Sequence, residues 1–276
     1  MKGTDWGRVM TGDGCPTLTH PEHSQPCHDL GGAWAESHEL HVAGCDLGRR
    51  LLRGEHLRLL EVGVAPGWNL AAACSLARSL PGRLDVTAVE RSRDALLAAD
   101  ELGRDPSWHE GAPEGAVEAL GFAHSGLRRA MRPGALGSWV ELSGGVRLRL
   151  ILQDAEKALD VMAPEECFDC VFLDAFSPSV EPESWAARFL RDLALRVDDG
   201  GRLTTYTVSQ GVRAAIIAGG LNLGSAGARC GRKGGTWASR GGWVPALEER
   251  LLAKLGRRSS RLGASEGWVT GPSDLE

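Results

Sequence analysis

From Leu57 onward, two rhythms of apolar and polar residues take turns along the chain. LRLLEV (57–62), RLDVTAVE (83–90), VRLRLIL (146–152) and FDCVFL (168–173) are short and rich in Leu, Val and Phe. They stop at glycine, proline or charge, which predicts buried strands rather than helices. LAAACSLARSL (70–80), SRDALLAADELG (92–103), AEKALDVM (155–162) and SWAARFLRDLALRV (184–197) place apolar residues three and four apart, the spacing of amphipathic helices. A turn at DDGG (198–201), a strand RLTTYTV (202–208) and a helix over 209–218 continue the alternation. Strands and helices at this spacing predict βαβ units, right-handed crossovers and a mostly parallel sheet, an α/β fold.

The flanks carry weaker patterns. Residues 1–30 are polar and rich in Gly, Pro and His, and predict an ordered lead-in at best. Residues 31–54 mix helical spacing with an apolar kink and read as a flanking element. Gly and Pro break the rhythm over 104–140, an insertion holding a helix-like piece from Gly126 to Met131. Short strand candidates separated by glycines run to about Arg240, and EERLLAKLGRRSSRL (248–262) looks like a basic helix. The expected division is a lead-in over 1–54, a main domain over 55–245, and a basic C-terminal extension over 246–276.

The predicted strand ends carry the chemistry. After the first strand, Glu61-Val-Gly63-Val-Ala65-Pro-Gly67-Trp-Asn69 makes a tight turn into a helix, where glycines let backbone approach a ligand. The turn lacks both the G-x-G-x-x-G spacing of dinucleotide sites and the Gly-Lys-Ser/Thr of a P-loop. An adenosyl cofactor without a pyrophosphate needs less: one close turn and a carboxylate for the ribose hydroxyls. Glu90 ends the second strand and suits that role, and Asp154 follows the third, where it suits an adenine amino group. Asp174 ends the fourth strand, with Phe176 and Trp185 near enough to wall it. Taken singly, Glu90 reads equally as an ordinary strand end and Asp174 as a cap. Together the four ends point to an S-adenosylmethionine-dependent methyltransferase.

Composition narrows the partners. The 276 residues suffice for one large domain, and the net charge of −5 does not announce a nucleic-acid binder. Charge is uneven, however: Arg229 to Arg261 holds nine Lys or Arg against two acidic residues. Arg213, Arg232, Lys233 and the 250–261 run are therefore phosphate candidates, each set against the bland reading of a solvated face. Seven irregularly spaced cysteines and an N-terminus without a signal-peptide pattern predict reduced thiols in the cytoplasm. No apolar run reaches the ~20 residues of a membrane helix. His20, His23, Cys27 and His28 cluster, but the second half of a zinc pair is missing, so no metal is expected. Cys167 and Cys170 flank a buried strand start and read as packing.

Two sets of motifs resemble known families. VGVAPGW resembles the turn of ribosomal RNA 2′-O-ribose methyltransferases, but that likeness stops at the turn. The tRNA 5-methylaminomethyl-2-thiouridine methyltransferase family carries E-x-G-F-G-T-G-x-N, then F-L-D-G-F-[AS]-P and N-P-x-x-W. This chain reads Glu61-Val-Gly63-Val-Ala65-Pro-Gly67-Trp-Asn69, then Phe172-Leu-Asp174-Ala-Phe176-Ser-Pro178 and Glu181-Pro182-Glu-Ser-Trp185. Downstream, residues 200–207, Gly211-Val-Arg213 and Cys230-Gly-Arg232-Lys233-Gly-Gly-Thr236 resemble its later motifs, and Glu36-Ser with His41-Val resembles an upstream E-[ST]-x-H-V-F. The likeness spans about 35–240. Ala65 replaces a turn glycine, Val64 an aromatic residue, and Pro66 stiffens the loop.

The resemblance implies a Rossmann-like class I fold with a seven-stranded, mostly parallel sheet and helices on both faces. It implies S-adenosyl-L-methionine held by Glu61, Gly63, Ala65, Gly67, Asn69, Glu90 and Asp154. It also implies a tRNA anticodon loop as partner, N-methylation of 5-aminomethyl-2-thiouridine, and Asp174 as the residue that handles the amine proton. Phe176, Pro178, Trp185 and Tyr206 would flank the base. The family's flavin-dependent oxidase half has no counterpart in this sequence, so the resemblance implies a stand-alone transferase and leaves a separate oxidase partner open. Two alternatives stay open: a methyltransferase of small-molecule amines, and a non-catalytic module whose altered turn no longer holds cofactor. Oligomeric state is not legible.

Overall fold

The computed structural model describes residues 5–227 and 234–263. A leading segment holds β1 (Gly7–Met10), β2 (Pro16–Thr19), α1 (Ala33–Glu36), a π-helical turn (Ser37–Val42) and α2 (Leu47–Leu52). The alternating part runs β3 (His56–Val62), α3 (Trp68–Ser79), β4 (Arg83–Glu90), α4 (Arg93–Arg104), a 3₁₀ turn (Pro106–Gly111), α5 (Ala116–Ala130), β5 (Val140–Glu141), β6 (Val146–Leu152), α6 (Ala155–Val161) and β7 (Phe168–Leu173). A second 3₁₀ turn (Pro182–Trp185), α7 (Ala187–Leu195), β8 (Val197–Thr205), α8 (Gln210–Ala218), β9 (Asn222–Ser225), β10 (Thr236–Ser239) and α9 (Glu249–Gly263) follow.

Among the described residues the main sheet has the order β5-β6-β4-β3-β7-β8-β10-β9. Strands β6, β4, β3, β7 and β8 pair in parallel, while β5, β10 and β9 join antiparallel. The eighth strand is the two-residue β5, which adds to the edge of β6. Successive side chains of a strand face opposite sides, and β3 divides accordingly. Leu57 and Leu59 join a core with α3 and α5, whereas Leu60 and Val62 join a second core with α7, α8 and α9. Helices therefore cover both faces, which is why the parallel strands read as continuous apolar runs.

Local differences from the sequence pattern have simple causes. Strand β8 begins at Val197, so Asp198–Gly201 lie within it rather than in a turn. The register between β7 and β8 shifts between Phe168 and Cys170, and that irregularity accommodates the polar stretch. The 104–140 stretch contains α5, whose Ala116, Ala119, Leu120, Ala123 and Leu127 are buried at helical spacing. Small residues and glycines at 121 and 126 weaken that pattern in the sequence.

Residues 5–30 are tied to the main domain. Trp68 donates its indole N–H to the Pro16 carbonyl at 2.8 Å, fixing β2 to α3. The Thr11 hydroxyl accepts from the Ala33 amide and Asp13 from the Ala35 amide, tying the hairpin to α1. Ser177 donates to Gln25 at 2.6 Å and so joins the segment to the loop after β7.

Backbone bonds carry the parallel ladder one step past the strands: Gly63 to Val89, Asp174 to Val62, and Gln153 to Glu90. Gly63, Glu90, Gln153 and Asp174 are thereby brought to one edge, the crevice where open α/β sheets bind ligands.

Candidate functional site

The glycine turn is shaped by what lies against it. Gly63 has φ of +84°, and a Cβ there would come within 2.5 Å of the Asp174 carbonyl oxygen. Only glycine lets β3 leave the sheet this close to the end of β7. Gly67, at φ of +107°, opens α3. The carbonyl of Pro66 accepts from His124 Nε2 at 2.8 Å, which fixes the His124 tautomer and ties the turn to α5. Glu90 holds the other side. One carboxyl oxygen accepts from the Val64 and Ala65 amides at 3.1 and 3.2 Å, the other from the Ser92 amide at 2.8 Å.

Asp174 is the hub of a buried network, its side chain only 5% exposed. Its Oδ2 accepts from Asn69 Nδ2 at 2.7 Å, and Asn69 is oriented by Ser37, which donates to Asn69 Oδ1 at 2.7 Å. The same Oδ2 lies 3.8 Å from His28 Nδ1 and 3.8 Å from His41 Nε2. His28 reaches Glu36 Oε2 at 3.3 Å, and Glu36 also accepts from the Asp29 amide. His41 Nδ1 meets Thr204 Oγ1 at 2.9 Å. The π-helical turn carries both Ser37 and His41, so this irregular element positions two members of the network. Three groups converge on Oδ2, and Asp174 lines the cavity.

That cavity, about 490 Å³, runs along the strand ends, within the range of small-ligand sites. Val62, Gly63, Ala65, Glu90, Ser92 and Gln153 line it from the sheet edge. Trp6, His20, His23 and Cys27 line it from the leading segment, and Phe176, Glu181 and Tyr206 from the β7 and β8 side. Tyr206 donates its hydroxyl to the Ala175 carbonyl at 3.1 Å.

The site is acidic. Glu61 is fully buried beneath the turn; burial pushes its carboxyl well up, the charges of Asp174 and Glu90 push the same way, and the Leu70 amide opposes them. Burial also raises Glu90, against four backbone hydrogen bonds that lower it. Glu181 is pushed up to about 7 by burial and by Glu90, with Arg91 at 3.5 Å opposing. Burial raises the Cys27 thiol, and Glu90, Asp174 and Glu181 raise it further. Carboxylates packed this closely favour a cationic ligand, which relieves their mutual repulsion.

Several expected site residues lie elsewhere. Trp185 is fully buried in the core of α7 and α8, its indole donating to the Phe176 carbonyl at 2.6 Å. It supports the loop that holds Phe176 and is no wall of the cavity. Pro178 belongs to that loop without lining the cavity, and Arg213 is internal, donating to Thr236 Oγ1 and the Gly235 carbonyl. Asp154 pairs with Lys157 at 2.6 Å and with Arg91 at 3.7 Å, and its neighbours Gln153 and Ala155 line the cavity instead. Glu61 and Asn69 act from behind the lining. Arg232 and Lys233 lie outside the described residues.

The sequence pattern missed Trp6, His20, His28, Glu36 and Glu181 as parts of the site. The cluster His20, His23, Cys27 and His28 was the available signal; its members lie in or beside the cavity. Among the described residues no group of three or more His, Cys, Asp or Glu is arranged to hold a metal, and no helix is long and apolar enough to cross a membrane.

Comparison with known proteins fits this geometry. A family model described as S-adenosyl-L-methionine-dependent methyltransferase matches residues 128–240. The chain is 30% identical over 216 residues to the tRNA 5-methylaminomethyl-2-thiouridine biosynthesis bifunctional protein MnmC of Aromatoleum aromaticum, covering 78% of this chain and 32% of that protein. It is 31% identical over 198 residues to the protein of the same name from a Caulobacter species, covering 68% and 31%. The chain thus spans about a third of the length of the curated relatives it matches. Among solved structures, MNMC2 from Aquifex aeolicus aligns with a TM-score of 0.74 at 28% identity, covering 92% of this chain and 76% of that one.

Proposed function

The chain belongs to the family of S-adenosyl-L-methionine-dependent methyltransferases that includes the transferase region of the MnmC proteins, and from that premise we propose that it N-methylates 5-aminomethyl-2-thiouridine in the anticodon loop of tRNA. The observation that carries this reading is Asp174: a buried carboxylate, fixed at Oδ2 and lining the same cavity as the cofactor turn.

The site fits S-adenosyl-L-methionine. The cradle at Gly63 is one that a Cβ would fill, the cavity has the volume of a small-ligand site, and its carboxylates suit a cation. When bound, the cofactor supplies a methyl group on a positive sulfur. Glu90 can accept from a ribose hydroxyl at Oε1 while keeping its bonds to the turn, since Oε2 is filled by the Val64 and Ala65 amides and Oε1 accepts only from Ser92 among its neighbours. The residues at 63–65 supply the close backbone edge, and Gln153 and Ala155 border the adenine end.

An alkylammonium has no free electron pair, so the acceptor amine must lose a proton before it can attack carbon. Asp174 Oδ1 accepts a hydrogen bond from that amine, takes the proton, and aims the nitrogen pair along the cavity. Asn69 holds Oδ2 so that the acting oxygen does not rotate away. Phe176 and Tyr206 offer ring surface to an extruded base. We place this activity in the cytoplasm, where the reduced thiols Cys15, Cys45 and Cys74 would persist.

The reading is tested by incubating the protein with methyl-labelled cofactor and tRNA bearing 5-aminomethyl-2-thiouridine, then identifying the labelled nucleoside. Label on the aminomethyl nitrogen is expected. Label on another nucleoside, or only on free amines, would overturn it.

A further inference from the structure

One wall of the cavity is assembled from three distant parts of the chain. Trp6 precedes β1, His20 follows β2, and Phe176 lies in the loop after β7. The rings of Trp6 and Phe176 stack with centroids 6.1 Å apart and planes 29° apart. His20 stands edge-on to Phe176 at 5.1 Å and to Trp6 at 5.5 Å. All three line the cavity. Phe176 is two residues from Asp174, so the wall stands beside the carboxylate that meets the amine. Ser92, Gln153 and Ala155 border the cavity at the β4 and β6 ends, on the other side of β3. Burial, and secondarily the neighbouring His23, lower the pKa of His20, which favours the neutral ring at neutral pH.

We infer that Trp6 and His20, with Phe176, form the shelf on which the acceptor's flat heteroaromatic ring stacks, so that the leading segment of the chain sets acceptor specificity. This rests on the amine-methylation reading above and adds to it a binding subsite. Aromatic faces hold any flat base, while carboxylates hold a cationic arm. Placed side by side, the shelf and Asp174 select an amine attached to a ring over a free alkylamine. The bonds from Trp68 to Pro16 and from Ser177 to Gln25 keep the segment in place for that task.

The test compares Trp6→Ala and His20→Ala with Trp6→Phe in the full chain. Steady-state methylation of aminomethyl tRNA is measured beside S-adenosylhomocysteine affinity by calorimetry. Stacking lost to alanine should raise KM for tRNA about tenfold or more, with homocysteine-product affinity close to wild type and Trp6→Phe near normal. Unchanged KM in both alanine variants overturns the inference. So does cofactor-product affinity that weakens in step with KM, because the rings would then serve the adenine. Should Trp6→Ala not fold, His20→Ala carries the same comparison. A wild-type protein that transfers no methyl to tRNA sinks the tRNA reading alone. The shelf is then read from binding of the nucleoside 5-aminomethyluridine to the protein loaded with S-adenosylhomocysteine. Weaker binding to the alanine variants supports it, and equal binding overturns it.

Discussion

Asn69 donates its side-chain amide to Asp174 at 2.7 Å, joining the first turn of α3 to the end of β7 across 105 residues of chain. One side of the contact belongs to the turn proposed to hold the cofactor and the other to the residue proposed to meet the acceptor. The bond thus couples the glycine turn to Asp174 directly. A hydrogen bond to a charged group contributes about 1.5–3 kcal/mol. Asn69→Ala should therefore slow methyl transfer about 10- to 100-fold in single-turnover experiments with saturating cofactor. A rate unchanged from wild type would show that Asp174 is held without it.

Asp174→Asn keeps the shape of the side chain and removes its capacity to take a proton. General-base contributions are typically about 10²–10⁴, and a fall of that size in kcat is expected with S-adenosylhomocysteine affinity retained. The calorimetric control matters, because it separates lost chemistry from a displaced turn. Normal turnover by this variant would remove Asp174 from the proton transfer.

Gly63→Ala should damage both stability and binding. Its φ of +84° is unfavourable for alanine, and the new Cβ would press on the Asp174 carbonyl at 2.5 Å, which is backbone and cannot swing aside. A loss of about 1–3 kcal/mol in denaturant unfolding is expected, with weakened cofactor affinity. Ala65 already occupies a position where the resembling family has glycine. Its tolerance contrasts with Gly63 because Ala65 carries no positive φ.

Much of this site was legible because strand ends are set by local pattern. The apolar runs ending at Val62, Glu90 and Leu173 brought Gly63, Glu90 and Asp174 to one edge through parallel pairing, whereas Asp154 turns to Lys157 and leaves the lining to Gln153 and Ala155. What lay outside that logic was harder to read. Trp6 and His20 reach the cavity through a hairpin whose short strands have no amphipathic period. His41 reaches Asp174 from a π-helical turn, for which sequence carries no spacing signal, and His28 reaches it from the irregular stretch after β2, with Glu36 of α1 behind it. Trp185 and Arg213 failed for the opposite reason. Aromatic and basic residues serve ligands and interiors alike, and only burial tells which. Trp185 donates inward to Phe176, and Arg213 donates inward to Thr236.

Glu181 gives the protein a pH dependence with a definite sign. Its carboxyl is pushed up to about 7 from an ordinary value near 4.5. Between these two values the folded protein keeps a proton that the unfolded chain has lost. Stability therefore falls as pH rises through that window and levels above it. Glu61 and Glu90 are raised as well and act in the same direction. Glu181→Gln should thus match wild type near pH 4 and exceed its stability at pH 8 by about 1–3 kcal/mol. Denaturant melts at the two pH values decide the matter, and an equal wild-type deficit at both would refute the assignment.

Arg213 separates a structural cation from one that binds phosphate. It is 6% exposed and spends its guanidinium on Thr236 Oγ1 at 2.9 Å and the Gly235 carbonyl at 3.2 Å, joining α8 to β10. Burial lowers its pKa, and it is held in place by neutral oxygens. Arg213→Ala leaves those acceptors buried without their donor and opens a gap in packing, a loss of about 1–3 kcal/mol. A phosphate contact behaves otherwise, because its removal would flatten the salt dependence of tRNA binding by about 0.7–0.9 in the log–log slope. The variant should melt earlier while the slope stays at the wild-type value. A flattened slope with undiminished stability would return Arg213 to the tRNA interface and require its side chain to leave the interior.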